Sequence, residues 1–147
     1  MSGTKIYRGI SFRMRHAMLA VKDVDRSVAF YTRFFGMDVQ RERAASELSP
    51  RTTYVGYGSD DENFGIELVQ SETEGHARPW TGHLAIYVSD MGALCATLRA
   101  AGVKFLQDPA PLRPGGPDLV AFIEDADGYV LELTERHTRT GPPVRVT

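Results

Sequence analysis

The chain repeats one pattern of predicted elements, a strand followed by a helix and three further strands, and this repeat limits its fold more than any other feature. Alternating apolar and polar residues indicate the strands, and apolar residues at helical spacing indicate the two helices. Asp23 or Asp25 can cap the first helix, which Gly36 ends, while Asp90 and Gly102 bound the second. We therefore expect two similar βαβββ modules that share one larger α+β structure.

The repeat also sets the expected bounds of the elements. The predicted strands cover residues 15–21, 37–43, 52–57, 64–69, 82–88, 103–106, 119–123 and 129–134. A turn is expected at 58–63, and a loop rich in proline and glycine at 108–117. These bounds predict one domain at 14–136, with modules at about 14–71 and 82–136, an N-terminal extension at 1–13 and a C-terminal tail at 137–147.

Composition makes several classes of protein poor candidates. A net charge of -2 carries no signal for binding a polyanion, so we do not expect nucleic acid as a partner. No apolar run is long enough to span a membrane, so no membrane partner is expected. The single cysteine, Cys95, excludes an internal disulfide and a cysteine zinc cluster, and it suits a reducing compartment such as the cytoplasm.

Both ends of the chain leave alternatives open. The first fifteen residues carry basic side chains and no acid, which is compatible with a targeting peptide, but they lack a long amphipathic or apolar segment. A disordered or edge-strand extension that precedes a start near Met14 is the simpler interpretation. At the other end, Pro142–Thr147 could open a further module, which would make this chain part of a tandem protein.

A histidine and a glutamate occupy equivalent positions in the two modules. Aligning His16 with His83 gives an offset of 83 − 16 = 67 residues, and aligning Glu67 with Glu132 gives 132 − 67 = 65. Strand alternation places all four on the sheet face opposite the helices, and Glu132, which follows an Asp-Gly turn, stands among apolar neighbours. A carboxylate in such a place must be paired, bind a metal or take up a proton.

Taken one at a time, each of these four residues is more often structural than functional, whereas four at equivalent positions are hard to dismiss. If each sheet curves, the four can line one concave surface. Two imidazoles and two carboxylates suit a divalent transition metal with open positions for water or substrate.

At these residues the chain resembles the vicinal-oxygen-chelate superfamily and, within it, glyoxalase I (the lactoylglutathione lyases). The resemblance covers 14–136, nearly the whole chain. The segments that carry it are His16–Ser27, Phe30-Tyr31, Gly36-Met37, Tyr54–Gly58, Ile66–Leu68, Gly82–Ile86, Ala121–Asp125 and Asp127–Leu133. Many members of the superfamily keep the second histidine and the final glutamate, while the pair of His16 and Glu67 is more specific to glyoxalase I.

The resemblance implies curved mixed sheets, paired across a homodimer, and one divalent metal ion per site bound by His16, Glu67, His83 and Glu132. Dimers of the family commonly build each site from both chains, with one His/Glu pair from each. With histidine as the first ligand and a short chain, the sequence resembles the class of glyoxalase I that prefers nickel or cobalt. The ligand types alone do not exclude zinc.

The resemblance also implies a reaction. The family's substrate is the hemithioacetal formed from methylglyoxal and glutathione, a small molecule. A glutamate moves a proton between neighbouring carbons through an enediolate, whose charge the metal stabilises, and the product is an S-D-lactoyl thioester. By position, Glu132 resembles the principal base and Glu67 its counterpart.

The chain departs from the family at the expected thiol contacts. Family members usually hold the glutamyl end of glutathione with an arginine and an asparagine at the positions of Ala20 and Ser71. Arg113 stands where the family has a basic residue near the glycyl carboxylate. Arg78 and Trp80 lie in a divergent loop that could reshape the pocket, unless the loop is an ordinary surface segment with one packed aromatic residue.

These departures keep two alternatives open. One is another enzyme of the superfamily, such as an epimerase, a thiol transferase or an extradiol dioxygenase, whose usual metal triad lacks an equivalent of Glu67. The other is a non-catalytic binding module that retained the metal ligands, which Ala20 and Ser71 favour.

Overall fold

Each predicted module forms a four-stranded mixed sheet with a helix packed against it. The structure is a computed structural model of the chain and describes residues 14–47, 49–71 and 83–137. The first module comprises β1 (His16–Val21), α1 (Val24–Phe35), β2 (Asp38–Arg43), β3 (Thr52–Gly56) and β4 (Gly65–Gln70). The second comprises β5 (Leu84–Tyr87), α2 (Met91–Ala100), β6 (Phe105–Pro111), β7 (Leu119–Glu124) and β8 (Val130–Glu135). The α+β class and the predicted order of elements are thereby confirmed.

Both helices are bounded by the expected residues. Asp23 and Asp90 each accept a hydrogen bond from the backbone N–H three residues later and so cap α1 and α2. Gly36 ends α1 in the left-handed region, with φ 59, and Gly102 follows α2 with φ 77. Asp25, the other predicted cap of α1, instead accepts hydrogen bonds from an arginine side chain. Within the described residues, neither helix has the length and apolar character needed to cross a membrane.

The predicted bounds differ most from the structure at β6. The sequence predicts a strand at 103–106 and a loop at 108–117, whereas β6 runs over Phe105–Pro111 and the following loop covers only 112–118. The early part of the loop prediction is therefore wrong. The reason is that β6 lies at the edge of its sheet and shifts register twice against β7. An edge strand tolerates residues such as Pro109, which cannot donate a hydrogen bond to a neighbouring strand.

The order of strands is the same in the two sheets and places the first strand of each module beside its last. The first sheet has the order β1-β4-β3-β2 and the second β5-β8-β7-β6, and the pairs β1–β4 and β5–β8 are parallel. Leu131 and Leu133, which flank Glu132 on β8, are both 0% exposed. Their burial in the core confirms that Glu132 projects from the other face of its sheet, since successive side chains alternate.

A turn at residues 125–128 ties the second module to the first. The buried carboxylate of Asp125 accepts a hydrogen bond of 2.7 Å from the phenol of Tyr31 on α1, and Asp127 accepts one of 2.6 Å from the hydroxyl of Ser27. Burial raises the pKa of Asp125, although the hydrogen bond from Tyr31 opposes that rise. The predicted turn is confirmed, and its hydrogen bonds to α1 join the two modules, whose sheets share no hydrogen-bonded strand pair within the described residues.

Candidate metal centre

The parallel pairing of β1 with β4 brings a histidine beside a glutamate. His16 lies opposite Gly65 in this pairing, so Glu67, two residues further along, projects from the same face. Nε2 of His16 is 3.1 Å from Oε2 of Glu67. The histidine side chain is 40% exposed and the glutamate side chain 14%, so the carboxylate is sheltered while the imidazole remains accessible.

The second module repeats this arrangement. β5 pairs in parallel with β8, where Ala85 lies opposite Glu132, and His83 directly precedes β5. Nε2 of His83 is 2.7 Å from Oε2 of Glu132, and the two side chains are 44% and 18% exposed. We call each His/Glu pair a half-site: the first half-site is His16 with Glu67, and the second is His83 with Glu132.

An aromatic residue lies next to the glutamate of each half-site, but the two residues differ. Tyr54 on β3 is opposite Glu67, and Phe122 on β7 is opposite Glu132. Each ring meets the histidine of its own half-site edge-on, with centroids 5.4 Å apart in the first and 5.9 Å in the second. The hydroxyl of Tyr54 donates a hydrogen bond of 2.6 Å to Oε1 of Glu67. Phe122 has no hydroxyl and cannot donate such a bond. Burial, and then this hydrogen bond, raise the pKa of Tyr54, so the phenol stays protonated.

The two half-sites do not come together within one chain. In the part of the chain that the structure describes, no group of three or more histidine, cysteine, aspartate or glutamate side chains is placed to hold a metal ion. Within one chain the two half-sites lie on separate four-stranded sheets. That the four predicted ligands line one concave surface stays a prediction.

The donor atoms of each half-site fit half of a metal site. An imidazole nitrogen and a carboxylate oxygen converge to 3.1 Å in the first half-site and to 2.7 Å in the second. Nitrogen and oxygen donors of these types bind divalent nickel, cobalt and zinc, and two half-sites together supply four protein ligands.

Exposed apolar side chains border both half-sites. Met18 lies between His16 and Ala20 on the face of the first half-site and is 57% exposed. Tyr87 shares the face of the second half-site and is 42% exposed. A single exposed apolar residue is ordinary, but here the same kind of residue stands on the ligand-bearing face of both sheets.

The predicted substrate-binding residues, unlike the predicted ligands, do not form pairs in the described structure. Ala20 lies on the ligand-bearing face of β1, and Ser71 directly follows β4, where its N–H donates to Val21. Arg113 is exposed in the loop at 112–118. Trp80 lies outside the described residues. The roles of these residues in binding stay predictions.

Sequence reasoning assigned no role to Tyr54. The signal that could have identified it is the repeat, because 122 − 54 = 68 is close to the offset between the two histidines. Tyr54 and Phe122 are thus equivalent residues that differ by one hydroxyl, and only their position across from a glutamate gives that hydroxyl a partner.

The fold and the paired half-sites agree with a known superfamily. Residues 13–133 match the model of the Glyoxalase/Bleomycin resistance protein/Dioxygenase superfamily, and the chain belongs to this family. Within it, the chain is similar to lactoylglutathione lyases. It is 38% identical over 128 residues to the probable lactoylglutathione lyase of Vibrio cholerae, which covers 84% of this chain and 90% of the relative. The lactoylglutathione lyase of Salmonella typhimurium is also 38% identical over 128 residues, with 84% and 92% covered.

Solved structures of glyoxalase I have the same fold. The enzyme from Leishmania major, described as trypanothione-dependent, superposes with a TM-score of 0.72 at 34% identity, over 85% of this chain and 87% of that one. Glyoxalase I from Zea mays gives a TM-score of 0.75 at 34% identity, over 90% of this chain but only 47% of the maize chain. This chain therefore spans about half the length of the maize protein. The predicted family is confirmed.

Proposed function

We propose that this chain is a metal-dependent glyoxalase I-like lyase, which isomerises the hemithioacetal of methylglyoxal and a thiol to an S-D-lactoyl thioester. The observation that carries the proposal is the His/Glu pair on each of two equivalent sheets, in a chain 38% identical to lactoylglutathione lyase of Salmonella typhimurium. Two such pairs give four ligands, including Glu67, and so favour this reaction over that of superfamily members that use a triad.

The reaction needs a base that moves one proton between neighbouring carbons. Glu132 removes the proton from the carbon that bears sulfur and hydroxyl, and returns it to the adjacent carbon. The hydroxyl proton of the first carbon passes to the oxygen of the second, so the first carbon ends as the thioester carbonyl and the second carries the hydroxyl. The side chain of Glu132 is only 18% exposed, which suits it to this exchange because limited contact with water reduces the competition of solvent for the proton. When bound, a divalent cation supplies positive charge beside the two oxygens on which negative charge develops.

Each complete site in this proposal combines the half-sites of two chains in a homodimer. The first half-site comes from one copy and the second from the other. Two observations support this arrangement: no described group of three ligands forms within a chain, and exposed apolar side chains border both half-sites. In a twofold dimer the same exchange occurs twice, which gives two equivalent sites.

We expect nickel or cobalt to be the preferred metal, with zinc as an alternative. Two imidazoles and two carboxylates are ligands that all three ions accept, so the choice depends on geometry and metal supply rather than on ligand type alone. We also expect the cytoplasm as the compartment, in keeping with a single, buried cysteine. Targeting by the basic residues 1–13 is the alternative.

Glutathione is the expected thiol, because the curated relatives are named lactoylglutathione lyases. Ala20 and Ser71 nevertheless replace the usual contacts to its glutamyl end, and the similar enzyme of Leishmania major is described as trypanothione-dependent. Comparison of turnover with glutathione and with trypanothione identifies the thiol that carries the substrate.

Reconstitution tests the proposed function. We expect the protein, stripped of metal and then loaded with Ni²⁺, Co²⁺ or Zn²⁺, to form thioester from methylglyoxal and glutathione with at least one ion. The metal-free protein should be inactive, because the developing charge then lacks its counterion. Stoichiometric metal binding without turnover with glutathione or trypanothione would instead favour a non-catalytic binding module.

Restoring the missing contact should strengthen the binding of glutathione. We expect Ala20→Arg to lower the apparent KM for the glutathione hemithioacetal by about tenfold, because a charge-assisted hydrogen bond contributes about 1.5–3 kcal/mol. The variant Ala20→Gln adds comparable bulk without charge and serves as the control. Equal KM values for the two variants would show that residue 20 does not approach the glutamyl carboxylate.

A further inference from the structure

One hydroxyl distinguishes the two half-sites. In the first, Glu67 has both carboxylate oxygens engaged: Oε2 lies 3.1 Å from the imidazole of His16, and Oε1 accepts a hydrogen bond of 2.6 Å from Tyr54. In the second, Glu132 faces the equivalent ring of Phe122, which carries no hydroxyl. Within the described residues, the ring opposite Glu67 therefore provides a second anchor for its carboxylate, and the ring opposite Glu132 provides none.

The ring that provides this anchor is itself held firmly. Tyr54 is only 7% exposed. The guanidinium of Arg41 lies over its ring, 4.2 Å from the centroid, and Nε of Arg41 is 3.1 Å from a carboxylate oxygen of Asp60. The imidazole of His16 meets the ring edge-on. Because contacts on several sides fix the ring, its hydroxyl has little freedom to follow a moving carboxylate.

We propose that Tyr54 is a positioning residue that fixes Glu67 as the stationary metal ligand, and that Phe122 leaves Glu132 free to move between the metal and the substrate. A ligand needs a fixed orientation, and partners that hydrogen-bond to metal ligands commonly supply it. A base that must reach two substrate carbons needs freedom to change its orientation. This inference rests on the proposed function, since it assigns the two glutamates different parts in one reaction.

Metal affinity tests the role of Tyr54. We expect Tyr54→Phe to weaken the binding of Ni²⁺ to the metal-free protein by about 10- to 100-fold, the usual effect of removing such a partner. The substituted ring retains the contacts with His16 and Arg41, so only the anchor of Glu67 is lost. Competition with a chromophoric chelator measures the affinity, and thermal unfolding of the metal-free protein checks that its stability is retained.

Tyr57→Phe is the matched control for a lost tyrosine hydroxyl. Tyr57 donates a hydrogen bond of 2.8 Å to the backbone carbonyl of Phe35, at the end of α1. Its loss should leave metal affinity unchanged. If both variants weaken metal binding equally, the effect of Tyr54→Phe is a general one on the fold, and the inference is overturned.

The reciprocal change tests the freedom of Glu132. We expect Phe122→Tyr, which places a hydroxyl across from Glu132, to lower kcat at saturating metal by at least about tenfold without weakening metal binding. Tyr54→Phe at saturating metal should lower kcat less than Phe122→Tyr does, because its main effect is on metal affinity. Wild-type affinity in Tyr54→Phe would overturn the role of Tyr54, and an unchanged kcat in Phe122→Tyr would overturn the role of Phe122.

Failure of the inference and failure of the proposed function can be told apart. If the original protein isomerises the hemithioacetal but Tyr54→Phe binds Ni²⁺ normally, only the role of Tyr54 is wrong. If the original protein has no isomerase activity with any metal while Tyr54→Phe still weakens Ni²⁺ binding, the anchor of Glu67 is supported and the reaction is not.

Discussion

Replacing Glu132 by glutamine is expected to lower kcat for the isomerisation by about a thousandfold, since a positioned general base contributes about 10²–10⁴-fold. Glutamine has the shape of glutamate and retains an oxygen that can bind metal, but it cannot take up the substrate proton. The flanking Leu131 and Leu133 are fully buried and remain unchanged, so the strand should keep its packing. The rate of thioester formation, measured on preparations matched for metal content, gives the result.

The control for this substitution is Glu42→Gln. Glu42 is an exposed residue of β2 that lies opposite Thr53, and so points away from the ligand-bearing face of its sheet. We expect its replacement to leave kcat unchanged. An undiminished kcat in Glu132→Gln, with full metal occupancy, would refute the role of Glu132 as the base.

Much of the fold could be predicted because its signals are local. The caps Asp23 and Asp90 and the left-handed Gly36 act on backbone groups within a few residues, so the sequence near each helix end suffices. Strand alternation likewise depends only on neighbouring residues. It placed Glu132 on the face opposite the buried Leu131 and Leu133, as the structure has it.

The features that could not be predicted depend on contacts between segments that are distant in the sequence. The hydrogen bonds that join Asp125 to Tyr31 and Asp127 to Ser27 span 94 and 100 residues. The length of β6 depends on its place at the edge of a sheet, which tolerates Pro109. Alternation assigns a residue to a face, but it carries no information on how the faces of two sheets lie relative to each other. For that reason the sequence assigns one predicted His/Glu pair to each module, but it does not give the relative placement of the two ligand-bearing faces.

Mixed dimers are expected to recover activity that neither parent has, and this test addresses the proposed sharing of sites most directly. His16→Ala removes a ligand from the first half-site and His83→Ala removes one from the second, so each variant alone should be nearly inactive. In a dimer of the two variants, one site combines both damaged half-sites. The other combines the intact second half-site of the His16→Ala chain with the intact first half-site of the His83→Ala chain.

A heterodimer purified through two different affinity tags should therefore have about half the activity of the original dimer, since one of its two equivalent sites is complete. The matched control pairs His16→Ala with Glu67→Gln. Both changes damage the first half-site, so every site in that heterodimer is defective and no recovery is expected. Size-exclusion chromatography and thermal unfolding establish that each variant folds and dimerises. Recovery of activity in the first mixture but not in the second requires a site built from two chains. If both mixtures contain folded dimers and neither recovers activity, each site is confined to a single chain.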